Sequence, residues 1–379
     1  MSFDIEKFVF IDNHAHSISE NFREMDKIAF RQSFSESRSI SILENHITKN
    51  VHYIDLLLQL KRFFDVKSEE EYLEYRSTLS QEELIQTLWD DVSIGSVIID
   101  GGFGAGEFMS RSKLGKLSGR PCFHCRRIEP ILEQCIEQAD SFANLSEQFL
   151  KKLFDQSTES VTALKSICGY RGGLKLLQAT KEEAEKDFDK LKLDSKGQKK
   201  IRIHKRPLYH YLLLQAFLIA GEQNIPVQIH SGIGDDDADL VECNPALLQN
   251  IFRGGTYSKT QFVLLHCYPY VREAAFMCSL YGNVHMDLSL AISHASGRAA
   301  RMVADALSLA PATKLMAGSD GHSCPETHWY GALSWKRALT QCLCDMINGG
   351  LVTQREAETV GGLILHDNAI QLYKLTGLI

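Results

Sequence analysis

Four histidines and one aspartate close short aliphatic runs that lie far apart in the chain. His14 and His16 end the run beginning at Phe8, His230 ends the run beginning at Ile225, His266 ends the run beginning at Phe262, and Asp320 ends the run beginning at Lys314. Imidazole nitrogen and carboxylate oxygen are the ligands of a catalytic divalent-metal centre; zinc heads the expectation, with manganese and iron also suited to such donors. Alternate residues of a strand share a face, so His14 and His16 at a strand end aim both rings the same way. An isolated pair of this kind is as readily two unrelated polar histidines near a loop. The equivalent placement of His230, His266 and Asp320 argues for ligation. His266 has a second reading, that of polarising a substrate carbonyl. Asp320 is suited both to ligate and to take a proton from water activated by the metal.

Other polar residues extend the set. Lys165 stands in an apolar strand context, where an ammonium is costly without a partner. It is either carbamylated into an anionic bridge between two metals or a lysine that holds substrate, the plain alternative being a head group that reaches the rim. Arg127 and Arg171 follow two further runs and are suited to bidentate recognition of a substrate carboxylate, surface ion pairing being the alternative. His322, Glu326 and Trp329 follow Asp320 and are expected to line the pocket, and His285 faces either way. The glycine-rich turn 101–106 lacks the lysine and hydroxyl of a phosphate loop and reads as an active-site loop. Cys122 and Cys125 have a metal or redox spacing, but no second pair follows, so they read as buried thiols.

These residues need a scaffold that brings strand ends together. Short apolar runs alternate with helical stretches, which implies βα units and a parallel sheet. Eight strands are predicted, at 8–13, 97–100, 122–128, 161–167, 227–230, 261–266, 284–288 and 314–319. In a (β/α)8 TIM-like barrel of α/β class all strand carboxyl ends open onto one face. The whole of 1–379 reads as a single barrel domain with a helical insertion at about 17–91. In that insertion Ile54, Leu57, Leu58 and Phe64 recur at helical spacing, and Ser80 to Glu83 resembles a capping box. Leaving from the strand-1 end, the insertion is expected to fold over the mouth, either as a lid or as packing or an oligomer interface. The charged stretch from Lys181 to Lys205 reads as a solvated helix face, and a helix opening at Pro207 should pack outside the barrel.

Composition bounds the function. The chain has 379 residues and a formal net charge of −7, which speaks against nucleic-acid binding. No run is long enough for a membrane span. The acid-bearing amino terminus is unlike a signal peptide, and ten scattered cysteines suit reduced thiols in a cytoplasm. A small-molecule substrate is expected, with homo-oligomerisation open.

The sequence resembles the amidohydrolase superfamily, in its amidohydrolase-related branch, and the amino-terminal domain of FluG-like and nodulin-like proteins. The resemblance rests on Ile99-Asp-Gly-Gly-Phe-Gly, Lys165-Ser-Ile-Cys-Gly-Tyr-Arg-Gly-Gly-Leu, Pro226-Val-Gln-Ile-His-Ser-Gly-Ile-Gly-Asp, Leu265-His-Cys-Tyr-Pro-Tyr and Gly318-Ser-Asp-Gly-His. It implies a distorted barrel with one or two divalent metals. In the two-metal pattern His14, His16 and Asp320 hold one ion, Lys165 bridges, and His230 and His266 hold the other. The single-metal pattern needs His14, His16, His230 and Asp320, and the sequence satisfies both. FluG-like proteins often carry a glutamine-synthetase-like domain after this one; none is present up to Ile379, so no ligase activity is expected.

The resulting expectation is hydrolysis of a C–N amide bond in a small carboxylate-bearing substrate, with a γ-glutamyl-type amide suggested by the family's domain fusions. A metal-dependent decarboxylase on the same barrel is the alternative, and a non-catalytic binding barrel a further one.

Overall fold

The computed structural model describes residues 4–102, 107–194 and 201–375. Eight parallel strands lie in chain order: β1 (Phe10–Ala15), β2 (Ile94–Asp100), β3 (Cys122–Arg127), β4 (Val161–Ser166), β5 (Val227–Ser231), β6 (Phe262–His266), β7 (Val284–Asp287) and β8 (Leu315–Met316). Helices cover the outside, giving the expected α/β barrel. β8 is shorter than the predicted 314–319. Beyond Met316 the Ala317 amide turns to the Ile364 carbonyl (3.0 Å) and leaves the ladder. The Ala317 carbonyl accepts from the Asn13 amide at 3.0 Å, and the Asp320 amide donates to the His14 carbonyl at 2.9 Å. These bonds lay the exit of β8 against β1 and nearly close the barrel.

Strand alternation separates two apolar layers. Ile11, Ile98, Phe123, Cys125, Ala163, Val263, Leu265 and Met316 fill the barrel interior. Val97, Ile99, Leu164, Val227, Ile229, Phe262, Leu264, Val284 and Met286 face the helices. The interior positions that come next along the strands are polar: Asp100 after Ile98, Arg127 after Cys125, Lys165 after Ala163 and His230 after Gln228. One period-two pattern thus builds the core and then the floor of a site. His285 shares the interior side with Asp287 but lies at the amino end, where its Nε2 is 3.3 Å from Lys314 Nζ.

The insertion carries α1 (Lys27–Gln32), α2 (Val51–Phe64), α3 (Glu69–Thr78) and α4 (Gln81–Asp91). The Ser80–Glu83 capping box forms in both directions, at 3.1 and 2.8 Å. The predicted apolar face of α2 is offset by one residue: Tyr53, Leu56 and Leu60 are buried, whereas Ile54 and Leu58 are 49% and 41% exposed. Tyr53 is drawn inward by the Phe34 ring at 6.0 Å and by its bond to Glu69 (2.7 Å). A fully buried ion pair, Arg76 Nε to Glu326 Oε1 at 2.6 Å, ties α3 to the long helix Pro325–Asn348 that follows β8. Tyr72 donates to the same carboxylate at 2.7 Å, and Trp329 Nε1 donates to Asp91 at 2.7 Å. Glu326 and Trp329 therefore anchor the insertion and do not line the pocket as expected.

The helix Lys181–Asp194 buries only Ala184 and Phe188, in keeping with a solvated face. The helix Pro207–Gln223 begins at its proline and is buried along most of its length. No helix among the described residues is long and apolar enough to cross a membrane. All ten cysteines are free. Burial pushes the Cys122 thiol up to about 12 and holds Cys125 well above the ordinary range, so this pair is inert at neutral pH. Part of the glycine-rich turn, 103–106, lies outside the described residues.

Candidate metal centre

Asp320 is where the dispersed strand ends meet. Its Oδ1 lies 3.2 Å from His14 Nε2 and 3.4 Å from His16 Nε2, and its Oδ2 lies 3.9 Å from His266 Nδ1. Two groups of three donors have their ligand atoms within 4.8 Å of one another: His14, His266 and Asp320, and His14, His16 and Asp100. His14 belongs to both. Asp320 Oδ1 and His230 Nε2 are buried without a hydrogen-bond partner. Imidazoles and carboxylates of this kind, with acceptor atoms left open at the centre of the cluster, fit a divalent metal.

The backbone is bent to achieve this. β1 carries a bulge between Asp12 and Ala15, so the adjacent Asn13 and His14 both reach interior partners, Asp287 at 2.6 Å and Gln228 at 2.8 Å. Strict alternation would turn His266 outward with Phe262 and Leu264. Its φ of +65°, followed by +59° at Cys267, turns the ring inward instead. Asp320 has a φ of +53°. Such conformations cost about 1–3 kcal/mol each and persist where neighbours over-determine them. For His266 those neighbours are Asp287 Oδ1, which accepts from its amide at 2.7 Å, and Ser289 Oγ, 2.8 Å from its Nδ1.

The remaining expected residues gather around the cluster. The His230 ring packs at 4.5 Å from that of His266 and at 4.4 Å from Tyr170. A Cβ at Gly234 would collide with the Tyr170 hydroxyl, so glycine there permits the ring to sit over His230. Lys165 Nζ lies 3.0 Å from His14 Nε2. Burial pulls the Lys165 ammonium below its ordinary value, towards the neutral amine that carbamylation requires. Arg127 pairs with Asp100 (Nη2 to Oδ2, 2.6 Å) and Arg171 with Glu133 (3.3 Å), while Arg171 Nε is buried and unpartnered. His322 lines the same pocket, its Nδ1 3.4 Å from the Asp320 carbonyl.

Electrostatics prepare the donors. Burial, with the nearby Lys165 charge, brings His14 down to about 4. Burial likewise holds His230 and His266 well below the ordinary imidazole value, so all three rings are neutral donors at neutral pH. Burial works to raise the Asp320 carboxyl, but the imidazoles of His266, His14 and His16 around it outweigh burial and hold it well below the carboxylate range.

Above the cluster opens a cavity of about 490 Å³, a size suited to a small molecule. Two acids, Asp100 within the buried cluster and Glu36 on the cavity wall, escape a reading of the sequence. Asp100 ends the aliphatic run 97–100, the same signal that marks the other candidates, and could have been found by it. Glu36 reaches the cavity from the segment between α1 and α2, a serine-rich stretch with no periodic signal. Burial pushes Glu36 up to about 7 against the pull of the His322 charge, with Asp320 and Asp235 adding to the rise.

A family model described as amidohydrolase matches residues 178–375, more than half of the chain. The chain belongs to the amidohydrolase family. The chain is 31% identical over 226 residues to the protein fluG of Emericella nidulans, an alignment covering 57% of the chain and 26% of the fungal protein. It thus spans about a quarter of the length of the curated relative it matches. A structure from Lactobacillus casei, described as a metal-dependent hydrolase, superposes with a TM-score of 0.87 at 25% identity, over 98% of this chain and 96% of that one. The uronate isomerase of Thermotoga maritima shares the fold at a TM-score of 0.65 and 12% identity, over 97% and 95% of the two chains. The chain therefore has the fold of the superfamily's metal-dependent hydrolases.

Proposed function

We propose that this protein hydrolyses a C–N amide bond in a small carboxylate-bearing substrate, a γ-glutamyl-type amide being the first candidate. The observation that carries the reading is the convergence of His14, His16, His266 and Asp320 beneath a cavity that Arg171 lines. A bound divalent ion, zinc, manganese or iron, would polarise the substrate carbonyl and lower the pKa of water. His14, His16, Asp320 and His266 are the residues to hold it, with His230 and Asp100 beside them and Lys165 as a bridge if two ions bind.

The chain's own groups supply the remainder. Arg171, which lines the cavity beside Glu133, takes the substrate carboxylate with its guanidinium. The anionic Asp320 accepts the proton of the attacking water and returns it to the departing nitrogen. His266, when not ligating, stabilises the oxygen of the tetrahedral intermediate. The Tyr170 ring shields His230 and its side of the cavity from solvent. Ten free thiols suit a reducing compartment such as the cytoplasm.

The test is product analysis on protein purified without chelators. Ammonia or amine release from carboxylate-bearing amides is expected, at a rate that collapses in Asp320→Asn. Release of carbon dioxide from aromatic or aliphatic acids, with no amide cleaved, would replace this reading by decarboxylation.

A further inference from the structure

The carboxylates of the cavity are not equivalent. Glu133 pairs with Arg171 at 3.3 Å, Asp237 with Arg202 at 2.9 Å, and Asp235 with Arg38 at 3.2 Å. Glu36 has no lysine or arginine partner among the described residues. Its ion-pair contact is His294 Nε2 at 3.8 Å, an imidazole that burial holds towards its neutral form. A part-buried carboxylate without a cation is costly, and here it faces the cavity.

A second observation points to a ligand. Arg171 is 9% exposed, and its Nε has no partner, although the residue lines the same cavity. An arginine with one unmet donor and an acid without a lysine or arginine partner thus line one cavity. Their places in the barrel set the geometry. Arg171 follows β4, whereas Glu36 stands beside His294, which follows β7, and near His322, which follows β8. Glu36 also lies within electrostatic reach of Asp235, which follows β5, and of Tyr170, the neighbour of Arg171. The cluster of His14, His16, His266 and Asp320 forms the floor of the cavity.

We propose that Glu36 is the recognition residue for an ammonium group, and that the substrate is bipolar: an amide whose acyl half ends in a carboxylate held by Arg171 and whose amine half carries a second, protonated nitrogen held by Glu36. The position of the scissile bond rests on the amide-hydrolase reading; the charge pairing does not. A monoamide between a dicarboxylic acid and a diamine has this chemistry, one charge for each of the two residues and its carbonyl over the floor. The inserted segment, by delivering Glu36, reads the leaving group, while the barrel reads the acyl group.

The test uses two matched probes on metal-loaded protein: the monoamide of glutarate with a diaminobutane, and that with pentylamine, in which a methyl replaces the ammonium. Binding is read by calorimetry and cleavage by amine release on the same samples. Wild type is expected to bind the diamine amide at least about tenfold more tightly, within the range of a charge-assisted hydrogen bond. Glu36→Gln should bring the ratio close to one by weakening only the diamine amide, Glu36→Asp should keep part of it, and Arg171→Gln should weaken both probes alike. Equal affinities in wild type, no binding of either probe, or a ratio that survives in Glu36→Gln would overturn the assignment. A ratio that holds while no amine is released supports the charge pairing and counts against hydrolysis alone.

Discussion

His14 donates its Nδ1–H to Gln228 Oε1 at 2.8 Å, and this bond decides that Nε2 is the nitrogen presented to Asp320 and the centre. Gln228 is itself fixed, since its Nε2 donates to the Asn13 carbonyl at 2.8 Å and to the Tyr373 hydroxyl at 2.9 Å. Outer partners that set a ligand's tautomer typically change metal affinity by about 10- to 100-fold. Gln228→Leu is therefore expected to weaken metal binding to that extent while the circular dichroism spectrum stays native, measured by competition with a chromophoric chelator.

Removing His14 should act more severely. It belongs to both groups of potential ligands, so His14→Ala is expected to leave almost no tightly bound metal per chain. Asp100→Asn, which touches only one group, should leave part of it. Elemental mass spectrometry of the purified variants decides between them.

Asp320→Asn keeps the shape of the side chain and removes its charge. If Asp320 moves the proton, kcat should fall by at least about a hundredfold, with melting temperature close to wild type. Turnover near the wild-type value would remove the assigned role.

Arg76→Leu tests how the insertion is held. The substitution leaves the fully buried Glu326 carboxylate without its cation. Breaking a buried pair from one side costs roughly 3–5 kcal/mol. Urea unfolding should show a loss of that order.

Burial brings His14, His52 and His328 each down to about 4. Between the ordinary imidazole value near 6.5 and about 4, the unfolded chain binds protons that the folded chain refuses. Stability from these groups is therefore complete above about 6.5 and declines as pH falls towards 4. The melting temperature of metal-free protein should drop across that window, and a flat profile would show that these imidazoles are not held neutral.

Much of this site is legible in the order of residues alone, because period-two alternation inside a barrel places a polar residue at the end of each aliphatic run. Lys165 and His230 follow from that rule, whereas Asp320 lies beyond the end of β8 on a left-handed residue. His266 obeys it only through a left-handed backbone turn, which the strand pattern does not encode. The α2 face is misjudged by one residue because Ile54 and Leu58 are as apolar as the Leu56 and Leu60 that are buried; tertiary contacts with Phe34 and Glu69 select the face. Gln228 and Tyr373 give no local signal, since their roles arise only when residues 145 positions apart meet within the barrel. Glu36 is hidden for a similar reason, its neighbours being chosen by how the insertion folds back.

The bond from the Tyr373 hydroxyl to Asn13 Oδ1, at 2.6 Å, spans 360 positions. During synthesis the first histidines leave the ribosome hundreds of residues before the tyrosine that completes their support. The outer support of His14 is thus assembled only after all eight strands have emerged.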